Sequence, residues 1–286
     1  MAYGFELADQ TAGDAVRRIA AALLAEAISQ AQGAPGPGQL HAIRKNIKML
    51  RGLLGLVRSN FPAFRLEDRA LRDSARQIAH HREVEVMGAT LALIAQTGDE
   101  RAASRLAEAL SPAEAAPTAL RADLDTLAQA LATIAGRCGQ WQFGGSDFGA
   151  LEDGLRRTWS RCRSELRHLR KGHDDAALHR WRGHIKAHWY HARLLQPIWP
   201  EMMAPHIAAA DALGELLGNH HDLSELHARL VQSQKTMPEA RALARRCAKR
   251  QAQAEREIFR LAERLLAEPA KSLAARWRSW WRLWRG

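Results

Sequence analysis

The chain has 286 residues, is 47% hydrophobic and 26% charged, and carries a formal net charge of +11 with a pI near 10.4. That length buries a large core, as one big domain or two fused halves, and the basic surplus favours polyanionic partners such as nucleic acid, anionic lipid or a phosphate polymer. There is no run of about 18 apolar residues and no basic region leading into an apolar run at Met1–Phe5, so neither a membrane span nor a signal peptide is expected, and a cytoplasmic protein is.

Apolar residues recur with a 3.6-residue period and β-branched residues are sparse, which predicts an all-α fold. The first helix is predicted from about Leu7 to Gln32, with Val16, Ile19, Leu23 and Ala27 on its apolar stripe. Gly33-Ala34-Pro35-Gly36-Pro37-Gly38 then breaks the chain. The second helix runs from Leu40 to about Arg58 and is amphipathic. His41, Arg44, Lys48 and Arg51 fall within an arc of about 80°. Ile43, Ile47, Leu50, Leu54 and Val57 take the opposite face. A third helix is predicted from about Glu67 to Ala95. On it Arg69, Arg72, Arg76 and His80 form another basic row, and Arg82 ends the apolar row of Leu71, Ala75 and Ile78. Shorter helices follow around Arg101–Leu110 and Ala119–Ala135.

Gly136 to Asp147 reads as a seam, after which the order restarts. A helix from Phe148 to Lys171 carries Arg156, Arg157, Arg161 and Arg167. Gly172-His173-Asp174-Asp175 breaks it, with Asp175 the expected N-cap of the next helix. That helix runs to Gln196 and repeats the earlier one. Leu178-His179 copies Leu40-His41, and Arg182 and Lys186 follow His179 at the offsets of Arg44 and Lys48 from His41. Trp181 and Ile185 replace Ile43 and Ile47 on the apolar side. A solvated face needs some charge, but not the same residue types at the same offsets, so the two helices read as one duplicated element. Further helices are predicted over Ala204–Gln232 and Glu239–Ala267. Beyond Pro269, Trp277, Trp280, Trp281 and Trp284 alternate with arginines in a tail that suits an anionic membrane or granule surface, packing on the bundle, or packing on a second subunit. The cysteines, Cys138, Cys162 and Cys247, are far apart and lack metal-ligand spacing; buried free thiols are expected.

Leu-His-x-x-Arg-x-x-x-Lys in both halves, Trp189-Tyr190-His191 after the second copy, and Leu213-Gly214-Glu215-Leu216-Leu217-Gly218-Asn219-His220-His221-Asp222-Leu223 together resemble the conserved histidine α-helical domain, CHAD. The resemblance covers about residues 5–270. It implies two pseudo-symmetric four-helix halves, about 5–136 and 147–270, packed around a central basic groove, with 271–286 as a separate tail. It also implies binding of inorganic polyphosphate without catalysis and without a cofactor. The candidate contacts are His41, Arg44, Lys48 and Arg51 on the first motif helix, and His179, Arg182, Lys186 and Arg193 on the second. Arg76, Arg82, Arg157 and Arg161 join them from neighbouring helices. There are three departures from the pattern. Trp189 stands where the family commonly has a basic residue, and the family's Arg-Asp pair reads Arg82-Glu83. Where the first half has Arg72, Arg76 and His80, the second has Asp211, Glu215 and Asn219; these acids are expected to brace basic neighbours.

The residues leave two other readings. Nucleic acid is the nearer rival, as a weaker partner, because a basic groove accepts any phosphate chain. Against it, the aromatics are expected on apolar faces and not within the basic stripe. His221-Asp222 also suggests a metal phosphohydrolase, but no ordered set of further ligands accompanies it, and adjacent helical histidines point about 100° apart. No catalytic or metal-binding residue is expected.

Overall fold

The computed structural model describes residues 3–34, 36, 38–78, 83–95, 100–110, 117–145 and 147–286, with 83–87, 100–103, 110, 117 and 118 described by backbone alone. The described chain is all-α: α1 (Ala12–Gln32), α2 (Gln39–Val57), α3 (Phe64–Gln77), α4 (Glu83–Ile94), α5 (Glu100–Leu110), α6 (Pro117–Cys138), α7 (Gly149–Leu169), α8 (Asp175–Leu194), α9 (Pro200–Ser233), α10 (Ala240–Leu265) and α11 (Ala270–Arg285).

Local chemistry sets the helix starts. α1 begins later than its apolar pattern suggests because Thr11 and Asp14 form a reciprocal capping box there. α8 is capped by Asp174, whose carboxylate accepts the Ala177 amide at 2.7 Å, and not by Asp175. Asp175 is the first helical residue, and its carboxylate instead accepts the Gln251 amide at 2.9 Å. The predicted third helix is two helices, α3 and α4. α9, the helix that the sequence order sets against it, is one helix of 34 residues, about 50 Å long.

The main core is filled by the apolar stripes of α1, α2, α6, α7 and α8 with the first part of α9, the end of α10 and α11. A second, smaller cluster joins Leu91 and Ile94 of α4 and Leu106 of α5 to Leu223, Leu226 and Leu230 of α9 and Leu243 and Cys247 of α10. The long α9 therefore belongs to both cores. The three cysteines are buried free thiols, and burial pushes Cys138 and Cys247 up to about 11. Among the described residues no helix is long and apolar enough to cross a membrane.

Two helix crossings place the two motif helices. At Gly52 a Cβ would lie 2.8 Å from the Cβ of Tyr190, so only glycine lets α2 meet α8 this closely. The adjacent His191 donates from Nε2 to the Gly52 carbonyl at 3.0 Å. At Gly154 a Cβ would lie 1.9 Å from the carbonyl oxygen of Leu56, and this fixes α7 against the last turn of α2. α11 closes the bundle: Trp277 and Trp281 are fully buried, and Trp159 donates to the Glu268 carbonyl at 2.8 Å just before the helix begins.

Candidate functional site

Because α2 and α8 touch at Gly52, their basic stripes lie on neighbouring helices of one surface. The stripes meet at Glu215 of α9. Lys186 Nζ lies 2.7 Å from Glu215 Oε1 and 3.1 Å from Asp211 Oδ1. The hydrogen bond from Lys186, helped by the charges of Arg182 and of Lys48 from the other motif, holds the Glu215 carboxyl below the usual carboxylate range. Asp211 and Glu215 thus brace the second motif, as their replacement of basic residues suggested.

The motif stretch Leu213–Leu223 has a mechanical role as well. Gly214 and Gly218 lie one turn apart on the α9 face that meets α8. A Cβ on Gly214 would sit 2.8 Å from Lys186 Cδ, and one on Gly218 would sit 2.8 Å from Arg182 Nη2. The two side chains occupy the space the glycines leave, and Arg182 Nε donates to the Gly214 carbonyl at 3.3 Å. Glycine costs about 1 kcal/mol in a helix interior relative to alanine, a cost this packing explains.

Trp189 corrects one expectation from the sequence. The aromatics are expected apart from the basic stripe, but Trp189, half-buried against the core, also stands within it, with Lys186 Nζ 4.5 Å and the Arg193 guanidinium 4.9 Å from its ring centroid. The ring orders two cations where the family's basic residue would stand. Arg193 also lies 5.3 Å from the ring of Tyr3, whose hydroxyl donates to the Met49 carbonyl of α2 at 3.0 Å.

The remaining candidates divide by location. On α2, Arg44 donates to the Ala75 carbonyl at 3.2 Å and Arg51 pairs with Asp68 of α3 at 2.8 Å, while His41 and Lys48 are exposed. Arg76 is exposed and pairs with Asp73 of its own helix at 3.3 Å. Arg82 lies outside the described residues. His179 faces solvent, with its ring 3.9 Å from that of His221. Partial burial, followed by the neighbouring His221 and Arg182, lowers its pKa below the usual histidine value. His220 is buried, with Nε2 3.9 Å from Asp175. Among the described residues no three His, Cys, Asp or Glu side chains are grouped to hold a metal ion.

Arg157 and Arg161 belong to a different corner. They project from α7 toward Arg58, at the 3-10 turn Arg58–Asn60 after α2, and Arg65 at the start of α3 stands beside it. Partial burial, then Arg157 and Arg161, with Arg65 adding to them, lowers the pKa of the Arg58 guanidinium against the opposing pull of Asp68. Neither Arg58 nor Arg65 lies on a motif, and only the fold brings them to α7. His184 of α8 adjoins the same corner, its pKa lowered by burial and by Arg161.

No match to a curated protein was found. The CHAD domain family model matches residues 14–231, a span that holds both motif helices, the α7 arginines and the glycine-bearing face of α9. The chain belongs to the CHAD domain family.

Proposed function

We propose that this protein binds inorganic polyphosphate through the basic surface shared by α2 and α8, without turning it over, and that the same binding brings it to polyphosphate granules in the cytoplasm. The observation that carries the reading is the convergence of the two motif helices: Lys48 of one and Arg182 and Lys186 of the other all act on the single carboxylate of Glu215. A polyanion laid there meets cations from both helices.

The chemistry suits this ligand. Polyphosphate carries about one negative charge per phosphate and no base edges, so recognition rests on an array of cations, with arginine favoured for bidentate contact to paired oxygens. The acids in the stripe do not bar it. Glu215 is exposed, and exposed ion pairs are typically worth about 0–1 kcal/mol, so a dense polyanion displaces it from Lys186. Trp189 gives nucleic acid, the second reading, a further foothold, since aromatic rings in a basic groove stack bases. That ring, however, already carries Lys186 and Arg193.

The test is a titration with long-chain polyphosphate, duplex DNA and RNA at matched phosphate and near-physiological salt. Polyphosphate is expected to bind most tightly, with affinity falling steeply as salt rises through counterion release. Equal or tighter binding of either nucleic acid would overturn the reading.

A further inference from the structure

The basic surface is not uniform in how its charge is balanced. Around Lys186 the protein supplies its own counter-ions, Asp211 and Glu215. Around Arg58 it does not. Gly154 holds α7 against the Leu56 carbonyl, and Arg157 and Arg161, three and seven residues further on, lie on nearly the same side of that helix. They therefore face the corner where α2 ends and α3 begins. Asn60 fastens this corner by donating to the Ala150 carbonyl at 3.1 Å and accepting the Gly144 amide at 2.7 Å. The Arg58 guanidinium is held over the Phe64 ring at 4.8 Å, and Arg65 follows on the next residue. Asp68, whose charge opposes that of Arg58, is already bonded to Arg51. Among the described residues, no ion pair within 4 Å reaches Arg58, Arg65, Arg157 or Arg161. Four guanidiniums gathered on a fastened corner, none of them ion-paired among the described residues, repel one another until an anion arrives.

We propose that Arg58, Arg65, Arg157 and Arg161 form a distinct condensed-phosphate site, which takes a compact run of two or three phosphates, either a free oligophosphate or the end of a longer chain. The proposal rests on the polyphosphate reading above and adds to it a site off the two motif stripes. Condensed phosphate fits because adjacent phosphates present paired, closely spaced oxygens to several forked donors at once, whereas a single orthophosphate engages fewer of them. It also predicts a trade between stability and binding: removing one of the four arginines relieves repulsion in the free protein while weakening the ligand's hold.

The test uses the full chain with tripolyphosphate, orthophosphate and long-chain polyphosphate, comparing wild type with Arg157→Ala, Arg161→Ala, Arg182→Ala and, as a control on the outer face of α10, Arg241→Ala. Both α7 residues are exposed, so their variants are expected to fold, and thermal melts at low salt check this with midpoints equal to or above wild type. Wild type is expected to bind tripolyphosphate more tightly than orthophosphate. Arg157→Ala and Arg161→Ala should each weaken tripolyphosphate about tenfold or more, the scale of one lost charge-assisted contact. Arg182→Ala should cost tripolyphosphate less than either, and Arg241→Ala should leave it unchanged. Competition by tripolyphosphate against a long chain separates the two sources: partial displacement that vanishes in Arg157→Ala places the chain end in this corner. If Arg182→Ala costs tripolyphosphate as much as Arg157→Ala, the site is not distinct and the proposal is wrong. If long chains bind and tripolyphosphate does not, the corner site fails while the polyphosphate reading stands. If neither binds, both fail.

Discussion

Gly218→Ala separates ligand positioning from stability. The added methyl would stand 2.8 Å from Arg182 Nη2, 3.1 Å from Nε and 3.2 Å from Cζ, so the guanidinium must withdraw by several tenths of an ångström. Its bond to the Gly214 carbonyl is already 3.3 Å, at the long end of the hydrogen-bond range, and that withdrawal breaks it. Losing such a bond costs about 1 kcal/mol, and replacing a helix-interior glycine by alanine gains about 1 kcal/mol, so the net change is expected to be within about 1 kcal/mol of zero. What is lost is the held orientation of Arg182. A drop of about tenfold in polyphosphate affinity, equivalent to about 1.4 kcal/mol, is expected. Denaturant melts and a polyphosphate titration on the same preparation measure both. Unchanged binding in Gly218→Ala alongside a large loss in Arg182→Ala would refute the idea that the glycine face sets the position of Arg182. A stability loss above about 2 kcal/mol would show that the guanidinium cannot yield.

Gly154→Ala should behave in the opposite way, because its Cβ would meet backbone, 1.9 Å from the Leu56 carbonyl oxygen, and α7 must leave α2; thermal melts should show a loss of several kcal/mol or no folded protein. Trp277→Ala empties a fully buried site and is expected to cost about 3–5 kcal/mol in denaturant melts, a result that a detached C-terminal tail would not give. Stability should also fall on mild acidification. Burial lowers His191 and His206 to about 4, so between that value and the unfolded pKa near 6.5 the unfolded chain binds more protons, and folding weakens as pH drops. For the fully buried His191 alone, about 1.5 kcal/mol should be lost between pH 6.5 and 5, and a midpoint that is flat across this range would contradict its burial in the neutral form.

The fold class and most helices were legible because this chain states its periodicity plainly: α2 and α8 each alternate a basic and an apolar face within one helix. Candidate residues that share a helix, such as Arg182 and Lys186, could be placed on one face from spacing alone. Contacts between helices could not. Nothing local marks Gly52 or Gly154 as a crossing point, and Arg58 and Arg65 gain their meaning only when α7 brings Arg157 and Arg161 to them. Gly214 and Gly218 did leave a trace, as two helix-breaking residues in a strongly helical stretch, which signals close packing against a neighbour. Spacing put Trp189 at a position of the basic stripe, but what an aromatic ring does there could not be read locally: it packs on the core and also serves as a platform for Lys186 and Arg193.

The central claim is that one polyphosphate chain is held by both motif helices, and the most direct measurement is the long-chain affinity of Lys48→Ala, Arg182→Ala and the control Arg241→Ala at fixed salt. Lys48 and Arg182 stand on different helices but act on the same carboxylate, whereas Arg241 is exposed on α10 outside the matched span. Each motif variant is expected to lose about tenfold to a hundredfold in affinity, the worth of one charge-assisted contact, while the control loses far less. An equal loss at all three positions would mean that the basic surface attracts polyanions diffusely and that the two helices do not form one site.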